Sequence, residues 1–160
     1  MSSFLYWYIM VTIIRTDSEN QDFMVLVYQL DAELAILDGD DHAFYAQFNK
    51  TDKLKYVLLA YEGRRPIGCG AIREYEPGIM EVKRMYTVSD YRGKGVASMV
   101  LAELEAWAQE MLYDTCVLET GKRQPDAIGL YRKSGYTIIP KYGQYAQMEN
   151  SVCFKKRLNS

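Results

Sequence analysis

From Lys55 to Val88 the chain reads as three strands in immediate succession, and no other stretch narrows the fold as much. Lys55–Tyr61 is the first strand, Glu62-Gly63-Arg64-Arg65 a turn, and Pro66–Glu74 the second strand. Glu76-Pro77-Gly78 turns the chain again, and Ile79–Val88 is the third strand. Connections this short leave only antiparallel neighbours, so the segment predicts a meander. A helix follows over Val96–Met111, with Val100, Leu101, Leu104, Trp107, Ala108 and Met111 on one face. Then come a strand at Thr115–Thr120, a helix at Asp126–Lys133, and strands at Tyr136–Pro140 and Val152–Lys156. Ahead of the meander, Val11–Thr16 alternates as a strand. Asn20–Leu37 carries Phe23, Leu26, Val27, Leu30 and Leu34 at helical spacing, and His42–Asn49 reads as a short aromatic helix. The order predicts an α/β chain around a mixed, largely antiparallel sheet flanked by helices.

The bulk numbers narrow the class. A chain of 160 residues favours one domain over residues 1–160, and 49% hydrophobic with 25% charged residues is a globular balance. A net charge of -2 gives no general field for nucleic acid, so partners are expected at a local site. Cys69, Cys116 and Cys153 are widely spaced, and His42 is the only histidine, so no metal site is expected. Three reduced, buried thiols suit a cytoplasmic protein. The apolar run Phe4–Ile14 is too short to span a bilayer and lacks signal-peptide flanks. Because the alternating strand begins just after Met10, translation is expected to start there naturally, which makes residues 1–9 a non-native extension.

The most informative short piece is Arg92-Gly93-Lys94-Gly95-Val96-Ala97, set between a strand and a helix. The first turn of a helix leaves amide N–H groups unpaired and favours an anion. Glycines let the backbone approach a ligand closely, and Arg92 and Lys94 add positive charge. On mechanism alone this is a diphosphate cradle or simply a tight turn. It is neither a Walker A loop nor a Rossmann fingerprint, because GxxxxGK[ST] and GxGxxG are both absent.

Arg92-x-x-Gly95-x-Ala97 resembles the Q/R-x-x-G-x-G/A signature of the GNAT acetyltransferase family. Ala127-Ile-Gly-Leu-Tyr131-Arg-Lys-Ser-Gly135-Tyr136 is similar to that family's A-x-x-L-Y-x-x-x-G-F/Y signature. Both stand in the family's order and spacing over nearly the whole chain, although Gln124 replaces the more usual Asn before the second. The resemblance implies a V-shaped split in the sheet that holds acetyl-CoA. Strand backbone near Met85, Tyr86 and Val88 would meet the pantetheine arm. Arg92, Gly93, Lys94, Gly95, Val96 and Ala97 would hold the diphosphate. Gln124, Tyr131 and Lys133 would line the thiol side. Some members dimerise through C-terminal strands, so a homodimer is compatible with the resemblance, as is similarity to small bacterial members.

Acetyl transfer to an amine needs a base. Removing a proton from an amine of pKa ~10.4 at pH 7 costs roughly 4–5 kcal/mol. Glu81 is the first candidate, because histone-modifying members of the family carry a base glutamate at that offset before the cradle. Its alternative is a pair with a neighbouring strand charge such as Lys83. Glu119, at the end of the next strand, is the second candidate. Tyr131 is the proton donor to the leaving thiolate that the resemblance implies, or else a core tyrosine. His42, Tyr45, Phe48, Tyr142 and Tyr145 are candidate acceptor contacts, or simple aromatic packing. The leading expectation is an acetyl-CoA-dependent N-acetyltransferase for a small amine or amino acid. The alternatives are a protein or peptide N-acetyltransferase and a non-catalytic acyl-CoA-binding sensor.

Overall fold

The computed structural model describes residues 10–48 and 53–158. Residues 1–9 and Asn49, at the end of the expected second helix, lie outside the described residues. The elements are β1 (Thr12–Thr16), α1 (Gln21–Asp38), α2 (His42–Ala46), β2 (Tyr56–Glu62), β3 (Arg65–Glu76) and β4 (Ile79–Thr87). They continue with α3 (Val96–Glu110), β5 (Thr115–Gly121), α4 (Pro125–Lys133), β6 (Thr137–Ile139) and β7 (Ser151–Arg157). Among the described residues seven strands form one mixed sheet in the order β1-β2-β3-β4-β5-β7-β6, and only β4 and β5 pair in parallel.

That one parallel contact is brief. Ile79, Met80 and Glu81 pair with Thr115, Cys116 and Val117, and the ladder stops there. Beyond this point β4 keeps its pairing with β3 as far as Gly68 and Thr87. On its other side β5 keeps its pairing with β7 as far as Gly121 and Ser151. The sheet therefore opens as a wedge between β4 and β5, whose facing backbone groups have no strand partner there. Unpaired backbone groups of this kind call for water or a ligand.

A bulge in β4 shapes the wedge. Cys69 opposes Tyr86 and Ala71 opposes Lys83, so Gly70 alone faces both Arg84 and Met85. Arg84 sits at φ 58, a left-handed conformation uncommon for a side-chain-bearing residue. Gly70 allows the bulge to close. A Cβ there would lie 2.6 Å from Met85 Sδ, 2.9 Å from Leu104 Cδ1 and 3.0 Å from Val100 Cγ1. Gly70→Ala is expected to cost about 1–3 kcal/mol through this overpacking. Urea denaturation checks it, and a midpoint equal to that of the parent would refute it.

The two faces of the sheet are covered by different helices. Gly68 and Gly70 point toward Val96 and Val100 of α3, which buries Val96, Val100, Leu101, Leu104 and Ala108. Tyr86, opposite Cys69 and so on the other face, reaches Glu33 of α1 at 3.0 Å. Asn20 caps α1 by accepting from the Asp22 and Phe23 amides at 2.8 and 3.2 Å. The helix buries Phe23, Leu26, Val27 and Leu30. Its far end has no basic residue of its own. Arg123 supplies the cation from the loop after β5, donating to the Leu37 and Asp38 carbonyls at 3.2 and 3.0 Å. A smaller aromatic cluster of Tyr45, Tyr145 and Cys153, with Phe44 and Tyr142 against it, ties α2 to the C-terminal segment.

Candidate active site

The wedge opens into a cavity of about 840 Å³. At one end lies the start of α3. Gly93 and Gly95 adopt φ 76 and φ 85, which a side-chain-bearing residue takes only with strain. A Cβ at either would meet nothing within 4 Å, so it is the turn that requires glycine, and the space before it is open. The Met99 amide donates to the Gly95 carbonyl, so the Val96, Ala97 and Ser98 amides precede the helical ladder. All three residues line the cavity.

Arg92 is held across this end. Its Nε donates to the Thr87 carbonyl at 2.8 Å, and Nη2 meets both oxygens of Glu33 at 2.9 Å. Gln124, at the start of α4, and Tyr131 and Lys133 further along it line the opposite wall, with Met85 and Tyr86 on the β4 side. Two of the expected cofactor residues stand apart. Val88 is buried in the core with its amide donating to the Ile67 carbonyl at 3.0 Å, and the Lys94 ammonium lies 5.8 Å from the Tyr91 ring centre. Neither lines the cavity.

Tyr131, Glu81, Lys83 and Glu119 also line the cavity. Tyr131 packs its ring 5.8 Å from Tyr136 and 5.9 Å from Phe154. Among the described residues its hydroxyl has no hydrogen-bond partner. Burial raises its pKa, so the phenol stays protonated. Glu81 is already occupied: it accepts from the Tyr142 hydroxyl at 2.7 Å and lies 3.5 Å from Arg73 Nε. Glu119 differs. Burial pushes its carboxyl up to about 7, against the pull of the Ser151 hydroxyl and the Lys83 ammonium, with Asp38 and Glu81 adding negative charge nearby.

The acceptor end is built by α2 and the C-terminal segment. Tyr45 and Tyr145 line the cavity, and the Tyr45 hydroxyl and Ser151 Oγ share a hydrogen bond at 2.7 Å. His42, Phe48 and Tyr142 do not line it. Phe48 contributes through its carbonyl, which accepts from Lys83 Nζ at 3.2 Å, and Tyr142 contributes through Glu81. The sequence pattern passed over Asp38, Arg84 and Arg123, which also line the cavity, and offered Lys83 only as a partner for Glu81; Asn150, in the C-terminal stretch expected as an acceptor lip, lines it too. Lys83 had a signal, since it lies two residues from Glu81 and so on the same face of β4. Arg123, which reaches a helix far back in the chain, had none. Among the described residues no group of three or more His, Cys, Asp or Glu is placed to hold a metal ion. No described helix is long and apolar enough to cross a membrane.

A split sheet whose cavity joins an amide-rich cradle to a set of ionisable groups suits a group-transfer enzyme. The sequence model of the Acetyltransferase (GNAT) family matches residues 22–136. An IAA acetyltransferase of Azospirillum brasilense is 33% identical over 152 residues, covering 92% of this chain and 98% of the relative. The crystal structure assigned as an acyl-CoA N-acyltransferase of Klebsiella pneumoniae superposes with a TM-score of 0.79 at 30% identity, over 94% and 99% of the two chains. The PaiA N-acetyltransferase of Thermoplasma acidophilum, solved with coenzyme A, shares the fold at a TM-score of 0.70 and 14% identity, over 93% and 99% of the two chains. The chain belongs to the GNAT family of acetyltransferases and is an N-acetyltransferase.

Proposed function

We propose that the chain transfers an acetyl group from acetyl-CoA to the primary amine of a small molecule or amino acid. The observation that carries this reading is the wedge itself. Its cradle faces, along one cavity, a carboxyl held near neutrality. The relative named as an IAA acetyltransferase supports a small-molecule acceptor, and the neighbour solved with coenzyme A supports the donor.

The residues present fit such a donor. The Val96, Ala97 and Ser98 amides, the open space before Gly93 and Gly95, and the Arg92 guanidinium suit a diphosphate. The unpaired edge of β4 at Met85 and Tyr86 suits an amide-bearing arm. When bound, acetyl-CoA supplies an acyl group activated as a thioester. The chain's own residues handle the protons. Glu119 accepts the proton of the incoming amine, since a carboxyl poised near 7 is balanced between holding and releasing one at neutral pH. Tyr131 holds a proton at its hydroxyl for the leaving sulfur. Glu81, fixed by Tyr142 and Arg73, positions the lip of the acceptor end.

The test is acetyl transfer from isotope-labelled acetyl-CoA into pooled amines, amino acids and peptides, with products read by mass spectrometry. Labelled small amines are the expected result. Label in peptides alone would replace this reading with a peptide N-acetyltransferase. No label despite tight acetyl-CoA binding would replace it with a sensor.

A further inference from the structure

The two lips of the wedge carry opposite charges at the same level. The last parallel pair is Glu81 with Val117, so a continued ladder would place Lys83 beside Glu119. Side chains alternate along a strand, so Lys83 shares the face of Glu81 and Glu119 that of Val117. The strands part instead, and the two side chains flank the opening of one cavity. They do not form an ion pair with each other: among the described residues the Lys83 ammonium has one hydrogen-bond partner, the Phe48 carbonyl at 3.2 Å.

Lys83 is only 8% exposed, a costly place for a cation that makes no ion pair among the described residues. An ammonium has three donors to place, and one carbonyl leaves it short of acceptors. The other cations of the wall are differently situated. Arg84 is paired with Asp31 at 2.5 Å, Arg92 with Glu33 at 2.9 Å, and Arg123 caps α1. Lys133 is exposed at the cofactor end. On the acidic side, Glu81 is taken by Tyr142 and Arg73. The pair that a continued ladder would set side by side across the opening is Lys83 and Glu119, one on each lip.

We propose that the acceptor is an amino acid or another small amine bearing a carboxylate, with the carboxylate held by Lys83 on β4 and the amine facing Glu119 on β5. This assignment rests on the transferase reading above. A zwitterion laid across the opening gives the buried ammonium its missing acceptors and presents the nitrogen to the carboxyl on the other side. A peptide N-terminus has no carboxylate at that position and leaves Lys83 unsatisfied.

The experiment follows CoA thiol release at fixed acetyl-CoA. Acceptors are supplied in sets of three: the free amino acid, its methyl ester and its decarboxylated amine. The parent protein is expected to favour the free amino acid over both analogues by roughly 10²-fold in kcat/KM for at least one set, as for a site left with an unsatisfied buried charge. In Lys83→Met that ratio is expected to fall to about one, and in Lys83→Arg to stay well above it. Because the ratio compares acceptors within a single preparation, loss of folded protein cancels out of it. Release that is indifferent to the carboxylate in the parent, or a preference that survives Lys83→Met, overturns the assignment alone. No release with any acceptor overturns the transferase reading and this assignment with it.

Discussion

Glu119→Gln is expected to lower kcat/KM by about 10²–10⁴-fold and, above pH 7, to make the folded chain harder to unfold. Both effects come from one cause. Burial raises the Glu119 carboxyl from its ordinary 4.5 to about 7 in the folded chain. Between those values the folded chain keeps a proton that the unfolded chain has released. Folding is therefore least burdened below pH about 4.5, loses stability as pH climbs toward 7, and levels off beyond. Glutamine carries no charge, so the variant escapes the loss. Its advantage in urea denaturation is expected to grow from near zero at pH 4.5 to about 1–3 kcal/mol at pH 8.5. The rate moves the other way. In the parent, kcat/KM rises through pH 7 as the carboxylate forms, and in the variant that limb is missing. Full activity in the variant would remove Glu119 from the proton path and return Glu81 to consideration.

How much of this was legible in the sequence depends on the range of the forces involved. The meander was legible because Gly63 and Gly78, at φ 59 and φ 83, close turns too short for any other topology. The cradle's place was legible for the same local reason at Gly93 and Gly95. Element ends fell within a few residues of their observed positions. The expected helix from His42 stops at Ala46, where Phe48 turns its amide back to the Tyr45 carbonyl. The wedge was not legible from pattern, because it depends on β4 preferring β3 and β5 preferring β7, both long-range choices. Leu34 shows the limit well: its spacing placed it with the core residues of α1, yet it ends as cavity wall. Glu81 and Glu119 looked alike on their strands. Tyr142, arriving from far along the chain, and Arg73, opposite Glu81 on β3, separate a carboxylate already engaged from one held near neutrality.

Tyr131→Phe is expected to lower kcat by about 10–10³-fold with little change in KM. Phenylalanine keeps the ring, and with it the contacts to Tyr136 and Phe154 that anchor α4 against the sheet. What is lost is a hydroxyl with no partner among the described residues, so stability should change by no more than about 1 kcal/mol. The parent phenol stays protonated because burial opposes the phenolate. It can therefore donate across the whole range in which Glu119 changes state. The two substitutions are thus expected to separate by pH: Glu119→Gln removes the limb near 7, while Tyr131→Phe lowers the rate and leaves that limb in place. A Tyr131→Phe protein with parental kcat would make Tyr131 a packing residue and assign the sulfur's proton to water. A variant that loses its fold instead would mean that the hydroxyl has a structural partner, which circular dichroism of the purified protein would reveal before any rate is read.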